Sequence, residues 1–131
     1  MKKIVFLFSL LPMLGCTSKN NYYKKSDIRV LEINPNSKSI AIYYYPKAET
    51  MFNSTGVDYK YNNVSKQIDI YFVRQKINTE NKAMTPSSLL RDLNDRVRIE
   101  KYGAYCYIVE IPLQKHWSNL NKKAEMIKII D

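Results

Sequence analysis

The residues best suited to chemistry in this 131-residue chain are two cysteines, Cys16 and Cys106, and a single histidine, His116. A zinc or copper site needs several imidazole or thiolate ligands, and so few side chains do not supply them. Cys106 and His116 could in principle form a nucleophile–base pair, but a separation of ten residues carries no geometric information. We therefore predict no metal site, no cofactor and no catalytic residue.

Other enzyme classes find no better support in the residue pattern. A serine hydrolase of the elbow type and a phosphate-binding loop both need clustered glycines, whereas Gly15, Gly56 and Gly103 are far apart. Asp92 and Asp95 are predicted on one face of a helix. A glycosidase needs only two carboxylates close in space, but solvated surface charge is the simpler interpretation. The sequence predicts a protein that is not an enzyme.

The first sixteen residues have the order of an export signal. A basic start, Met1-Lys2-Lys3, precedes an apolar run over residues 4–14. Those eleven residues would span only about 16 Å as a helix, whereas a bilayer core needs roughly 30 Å, so the run is not a transmembrane span. The run ends in Met13-Leu14-Gly15-Cys16. This ending resembles the lipobox of bacterial lipoproteins, with Met13 standing where leucine is usual.

The resemblance implies an address and a modification. Cleavage between Gly15 and Cys16 would make the cysteine the new N-terminus, carrying fatty-acyl chains such as palmitate, and several chains together give a stable anchor. Thr17 is not the aspartate that marks inner-membrane retention in enteric bacteria, which favours the outer membrane, facing the periplasm. The alternatives are an ordinary secretory signal that ends in Gly-Cys, or a buried N-terminal strand.

The composition after the leader is that of one domain. The chain is 45% hydrophobic and 12% aromatic, which is enough to build a core. We divide it into a signal peptide over residues 1–15, a lipidated cysteine with a polar tether over 16–26, and a β-rich domain over 27–131. The polar tether has no hydrophobic period, and its Tyr22-Tyr23 and Lys24-Lys25 pairs could lie on the membrane surface.

Alternating apolar residues predict about seven strands in the domain. In residues 28–33 the alternation slips once, which predicts a β-bulge. Residues 47–55 are predicted as a loop, 86–95 as a short helix begun by Thr85-Pro86, and 96–101 as a weak strand. The other predicted strands cover 39–45, 56–61, 67–75, 104–111 and 125–130.

The spacing of these strands favours a small antiparallel β-sandwich of immunoglobulin-like or transthyretin-like kind. A mixed α+β sheet is the alternative. The strand over residues 104–111 is apolar on both faces and is therefore predicted to be central, with Tyr105 and Tyr107 on one face and Cys106 on the other. Cys106 is accordingly predicted to be a buried apolar residue; a reactive or intermolecular thiol is the alternative.

The net charge of +9 narrows the choice of partners. Loss of Lys2 and Lys3 with the leader would still leave +7. Export makes nucleic acid an improbable partner, although basic proteins often bind it. A basic domain held at a membrane would be attracted to anionic lipid or to an anionic envelope polymer such as lipopolysaccharide or peptidoglycan. A solvated basic surface with no partner is the simpler alternative.

Eleven tyrosines and one tryptophan suggest a contact surface. The candidate binding residues are aromatic: Tyr43, Tyr44, Tyr45, Tyr59, Tyr61 and Trp117. The simplest interpretation of Trp117 is that it packs onto the end of the sandwich; a tryptophan that grips a ligand or touches the membrane is the alternative. We therefore predict a lipid-anchored envelope protein that binds another protein, either as a docking subunit of an assembly or as an immunity or exclusion factor. The alternative is a binder of an anionic envelope polymer.

Overall fold

β-Strands are the main elements of the computed structural model, which describes residues 20–117 and 123–130. The elements of this part of the chain are, in order, β1 (Ile28–Pro35), β2 (Ser39–Pro46), β3 (Phe52–Asn62), β4 (Gln67–Lys76), β5 (Thr85–Pro86), β6 (Ser88–Leu89), α1 (Leu90–Leu93), α2 (Arg96–Tyr102), β7 (Tyr107–Pro112) and β8 (Ile127–Ile129). Short 3₁₀ turns cover Lys25–Asp27, Lys115–Trp117 and Lys123–Met126.

The strands form two four-stranded sheets that face each other. The first sheet has the order β1-β2-β7-β6 and the second has the order β5-β3-β4-β8. All pairs are antiparallel except β4 with β8, which run parallel. The predicted β-sandwich is confirmed. The described residues contain eight strands where about seven were predicted, and two short helices where one was.

Local sequence explains the first hairpin. The register of β1 against β2 shifts between Val30 and Glu32, so the predicted bulge is confirmed. Asn36 closes the turn because its side-chain Oδ1 accepts hydrogen bonds from the backbone N–H groups of Lys38 and Ser39, at 2.8 and 2.9 Å. An asparagine that bonds the backbone two or three residues ahead is typical of such turns.

Strand β3 begins at Phe52, inside the segment predicted to be a loop, so that part of the prediction is wrong. The strand is long because it carries a register shift between Ser54 and Gly56. Gly56 has a φ of +156°, and a Cβ there would lie 2.1 Å from the carbonyl oxygen of Thr85. The glycine therefore lets β5 pair closely with β3, at a bulge that the sequence analysis did not identify.

The region between residues 85 and 102 differs most from the prediction. Thr85-Pro86 does not start a helix; it pairs with β3 as a two-residue strand. The helix predicted over 86–95 is reduced to α1, because Asn94 adopts a left-handed conformation with φ of +57° and ends it. Residues 96–101, predicted as a strand, begin α2, whose N-terminus is capped by Asp95 through the N–H of Arg98 at 3.1 Å.

Residues 104–106 form a turn and not the start of β7. Gly103, with φ of +103°, ends α2, and the carbonyls of Ala104 and Cys106 accept hydrogen bonds from Arg91 and Leu90 at 2.9 Å each. Tyr105 is consequently 63% exposed, so its predicted place on the inner face is wrong. Tyr107 does lie on that face, and β7 is central in its sheet as predicted.

The main core lies between the two sheets. Inward residues of β2, β3, β4 and β7 meet there with side chains from both ends of the chain; the buried members are Tyr23, Ile40, Ile42, Tyr44, Val57, Ile68, Ile70, Phe72, Val109, Ile111, Trp117 and Met126. A second, smaller cluster lies on the outer side of the first sheet, under α1 and α2. Its buried members are Ala41, Tyr43, Leu90 and Cys106.

Residues 20–26 belong to the folded domain, although the sequence assigns them to a tether. The N–H of Tyr23 bonds the carbonyl of Phe72 at 2.9 Å, and the carbonyl of Asn21 accepts from Arg74 at 2.8 Å. Tyr23 is only 2% exposed and sits in the main core. The packed part of the chain therefore begins no later than residue 20, because an edge of β4 was free to pair with it.

Candidate functional site

The predicted aromatic contact surface does not form as a continuous patch. Tyr43 and Tyr44 point to opposite faces of β2, and both are buried, at 4% and 0% exposure. The hydroxyl of Tyr44 shares hydrogen bonds with Ser54 Oγ at 2.7 Å and Ser87 Oγ at 2.6 Å. Burial raises the pKa of this phenol well above its ordinary value. Neither residue can meet a partner in this conformation, so their assignment to a contact surface is wrong.

Trp117 is also removed from the predicted surface. It is 0% exposed and packs edge-on against Tyr61, with ring centroids 5.3 Å apart. The prediction that this tryptophan packs onto the end of the sandwich is confirmed. Tyr59 and Tyr61 are half-buried and contact each other at 5.4 Å. Tyr45 is the candidate that lies at a concave surface, described below.

Cys106 and the two carboxylates considered for catalysis, Asp92 and Asp95, each have protein partners in the structure. Cys106 is fully buried as predicted, with its Sγ facing the carbonyl of Tyr44, and burial raises the pKa of its thiol. Asp92 lies 3.4 Å from Arg91, and Asp95 caps α2, so the two carboxylates have separate charge partners. Gly15 and Cys16 lie outside the described residues.

A concave surface opens at one end of the sandwich. Its volume is about 360 Å³. We name it the sandwich-end groove, and its lining residues are Tyr45, Pro46, Lys47, Ala48, Glu49, Phe52, Asn53, Ile77 and Tyr107. Three strands contribute to it, because β2 ends at this side of the molecule and β3 and β7 begin there, and Ile77 follows the end of β4. The groove is therefore built on the ends of paired strands.

Sequence explains how the groove is closed along its edge. Pro46 ends β2, because proline cannot donate to a strand ladder, and the chain then crosses to β3. The N–H of Ile77 donates to the carbonyl of Met51 at 2.9 Å, which ties the crossing to the end of β4. Met51 and Ile77 remain 62% and 44% exposed. Large apolar side chains are thus presented to solvent at the rim.

A charged pair fixes one wall of the groove. Arg74 makes a two-pronged interaction with Glu49, at 2.9 Å from Nε and 2.5 Å from Nη2. The same guanidinium lies 3.8 Å from the centre of the Phe52 ring. Its hydrogen bonds hold the pKa of Glu49 below the ordinary value. The pair stays ionised at neutral pH and holds Phe52 in place, since a guanidinium packs well on an aromatic face.

A smaller hollow of about 180 Å³ adjoins the groove across Lys47 and Glu49. Tyr23 lines it, and burial raises the pKa of Tyr23 to about 12. Within the described residues, Tyr23 Oη and Asn53 Oδ1 are buried and make no hydrogen bond. Unsatisfied buried polar atoms are uncommon in folded proteins. This end of the sandwich therefore combines an apolar rim with two hydrogen-bonding atoms that have no protein partner here.

Apart from Tyr45, the residues that build the groove were missed at the sequence level, because most of them fall in the predicted loop 47–55 or just after the predicted strand 67–75. A signal was present in Met51-Phe52, an apolar pair within a polar segment. Isolated exposed apolar residues are common on proteins, so the pair became informative only when the fold placed Ile77 and Tyr107 beside it.

In residues 20–117 and 123–130, no helix combines the length and the apolar character that crossing a membrane requires. Comparison of the chain with protein-family models, with curated proteins and with solved structures finds no match.

Proposed function

We propose that this chain is a lipid-anchored protein of the bacterial cell envelope that works without catalysis, by binding another protein through the sandwich-end groove. The anchor is the acylated Cys16, and the proposed site is the outer membrane, facing the periplasm. The observation that carries the binding role is the pair of exposed apolar side chains, Met51 and Ile77, beside a concave wall that includes Phe52. When a partner covers these side chains, apolar surface is removed from water, and this makes the free energy of binding more favourable.

The chemistry of the groove favours a protein segment with a large apolar side chain as its occupant. Glu49 and Arg74 pair with each other, and Lys47 is the remaining charged residue of the lining. Phe52, Tyr45 and Tyr107 give aromatic surface of the kind that is enriched at protein interfaces.

Site-directed photo-crosslinking in the native membrane tests this proposal. A benzophenone amino acid replaces Met51 at the groove in one variant and Val64 in another. Val64 is 96% exposed on the turn between β3 and β4, at the opposite end of the sandwich. We expect one envelope protein to crosslink from position 51 and not from position 64. The same adduct from both positions, or none from position 51, would contradict the groove as the binding surface.

Charge placed on the rim tests whether apolar contact drives the binding. Ile77→Asp is added to the variant that carries the crosslinker at position 51. It should reduce the amount of adduct about tenfold, because a charge buried in the interface loses its hydration. Val97→Asp is the matched control, since Val97 is 76% exposed on α2 and away from the groove. A loss with Val97→Asp alone would move the contact to the helix side of the molecule.

The anchor and the binding role can be separated with Cys16→Ser. We expect the peptide that contains residue 16 to lack the acyl mass in this variant. The variant should detach from the membrane and should no longer crosslink to the partner. Recovery of lipopolysaccharide or peptidoglycan with the domain, and of no protein, would favour the anionic-polymer alternative. High salt would release such a complex, since it would depend on exposed lysines.

A further inference from the structure

The first described residues are fixed to a specific part of the domain surface. Asn20 donates from Nδ2 to Asp58 Oδ2 at 3.0 Å and to the carbonyl of Lys82 at 3.1 Å. Tyr22 donates to the same Asp58 oxygen at 2.7 Å. Asp58 alternates along β3 with the inward Val57 and Tyr59, so these contacts lie on the outer face of the second sheet. The chain therefore reaches the domain at this face.

The distance to the proposed anchor is short. Cys16 precedes Asn20 by four residues. Even a fully extended chain covers at most about 3.3–3.6 Å per residue, so these four residues reach about 14 Å. If Cys16 carries lipid, as proposed above, the surface around Asn20 must lie within that distance of the headgroups. The inference that follows rests on that part of the proposed function.

This surface contains a basic cleft. A depression of about 350 Å³ lies beside Asn20, and its lining includes Arg74, Lys76, Thr79 and Lys82. The ammonium groups of Lys76 and Lys82 form no ion pair with a carboxylate of the described residues, and both side chains are exposed. We name this depression the basic cleft. It presents mobile positive charge at the place where the chain from Cys16 arrives.

No acid of the described residues forms an ion pair with either lysine, and this includes Glu80, which lies between them in the sequence. Glu49 is engaged by Arg74. Asp58 accepts hydrogen bonds from Asn20 and Tyr22, and its other oxygen accepts from the N–H of Met84 at 2.9 Å. Phosphate oxygens are suited to the remaining donors, because lysine ammonium groups bind phosphate as compact point charges.

We propose that the basic cleft binds the phosphate groups of anionic phospholipids, so that the anchored domain rests on the membrane with the edge of its second sheet where residues 21–23 pair with β4. Each basic residue near an anionic surface strengthens association about fivefold. Because Phe52 lines both the basic cleft and the sandwich-end groove, this contact also sets the groove beside the membrane surface. The sandwich-end groove would then bind the part of a partner protein that lies close to the membrane.

Lysine footprinting of the full lipidated protein in vesicles tests this proposal. A membrane-impermeant amine reagent is applied to protein in phosphatidylcholine vesicles and in vesicles containing phosphatidylglycerol, and modification is read by mass spectrometry. We expect modification of Lys76 and Lys82 to fall at least about fivefold on the anionic vesicles. Lys38 and Lys66, on turns at the opposite end of the sandwich, are internal controls and should not change.

A paired variant checks that the lysines cause the contact. In the double variant Lys76→Gln with Lys82→Gln, hydrogen exchange of the loop 78–83 should be the same on both kinds of vesicle. In the wild type and in Lys38→Gln with Lys66→Gln, that loop should exchange more slowly on the anionic vesicles. Slowing that persists in the Lys76/Lys82 variant would overturn the proposal.

The remaining outcomes separate this inference from the anchoring proposal. Equal modification of Lys76 and Lys82 on both vesicles, together with an acylated Cys16 peptide, would overturn the membrane contact and leave the anchor standing. An unmodified Cys16 would overturn both. Protection of the two lysines on phosphatidylcholine vesicles by inorganic phosphate alone would assign the cleft to the free anion and overturn the lipid assignment.

Discussion

The two sheets of this sandwich are covered on their outer sides by different kinds of interaction. Over the first sheet, α1 and α2 bury an apolar cluster that includes Tyr43, Leu90 and Cys106. Over the second sheet, residues 20–22 are held mainly by hydrogen bonds that converge on Asp58. Hydrophobic burial removes a large area from water, whereas a surface hydrogen bond replaces one that water already offers. The first cover should therefore contribute more to folding stability than the second.

The different covers of the two sheets suit different roles in the proposed function. The first sheet presents helices whose role is to seal an apolar face. The second sheet keeps polar groups and lysines accessible beside the segment that leads to Cys16. A membrane-facing surface must exchange water for lipid headgroups reversibly, and polar contacts allow that. Four variants test the comparison.

The largest expected effect is that of Leu90→Ala. Leu90 is 0% exposed and anchors α1 in the outer cluster, so the truncation should lower the free energy of unfolding by about 2–4 kcal/mol. Urea denaturation followed by circular dichroism measures this. Leu93→Ala is the matched control, because Leu93 is 50% exposed in the same helix and should change stability by less than about 0.5 kcal/mol. Equal effects would mean that the helices do not seal the first sheet.

Asp58→Asn tests the cover of the second sheet. The amide replaces one accepting oxygen with a donor that faces the Asn20 and Tyr22 donors, so we expect a loss of about 2 kcal/mol. Hydrogen exchange should accelerate at the amides of Tyr23 and Arg74, which bond across to β4 and residue 21. Asp69→Asn, also on the outer face, is the control and should leave both amides unchanged. A loss exceeding that of Leu90→Ala would reverse the comparison.

A polar network at the rim of the first sheet should contribute less. Arg98 bonds Glu32 at 2.7 Å and Asp95 at 3.2 Å, and Tyr102 donates to Glu32 at 2.8 Å. The Glu32 and Arg98 side chains are 25% and 26% exposed, so solvent screens the pair. We expect Glu32→Gln to lower the unfolding free energy by about 1 kcal/mol at pH 7. A change above about 3 kcal/mol would indicate a fully buried charge pair.

The same network predicts a pH dependence. Hydrogen bonds from Arg98, opposed in part by burial, hold the pKa of Glu32 below its ordinary value of 4.5. The carboxylate therefore stabilises the fold fully above about pH 4.5 and loses this contribution as the pH falls through its lower folded-state pKa. Thermal unfolding from pH 6 to 3 should show a smaller decline for Glu32→Gln than for the wild type. Parallel curves would contradict the assignment.

The smallest effect should come from Tyr22→Phe. The variant removes one hydrogen bond to Asp58 but keeps the ring contact with Tyr71, whose centroid lies 5.2 Å away. We expect a loss of about 0.5 kcal/mol. Tyr71→Phe is the control and should be nearly neutral. Together with Asp58→Asn, this variant shows how the stability contributed by the polar cover is divided among its members.

Strand placement was largely predictable from the sequence, because alternation records which residues share a face. The inward positions of β4, Ile68, Ile70 and Phe72, are all buried as expected. The predictions were wrong where local preference yielded to pairing: Thr85-Pro86 joined β3 as a strand, and residues 96–101 became a helix capped by Asp95. A helix-start signal and a weak alternation are local cues, and a partner elsewhere in the chain can override either.

The candidate site was less predictable than the fold. Tyr43, Tyr44 and Tyr45 suggested an exposed ring at one position at least, because neighbouring strand residues face opposite sides. That reasoning assumes that one side of the sheet meets water. Here the second side is covered by α1 and α2, so Tyr43 is buried as well as Tyr44. The exposed apolar rim is found instead at Met51 and Ile77.

The sequence by itself determined the β-rich class and the bulge in β1, because each depends on spacing and residue type within a few positions of the chain. The tertiary structure alone decided which tyrosines reach solvent, where the sandwich-end groove opens, and that residues 20–26 pack on the domain. Those features join residues that are far apart in sequence, such as Tyr23 with Phe72 and Met51 with Ile77. The alternation of apolar residues predicts which face of a strand a side chain lies on, but the packing of the other elements decides whether that face is covered.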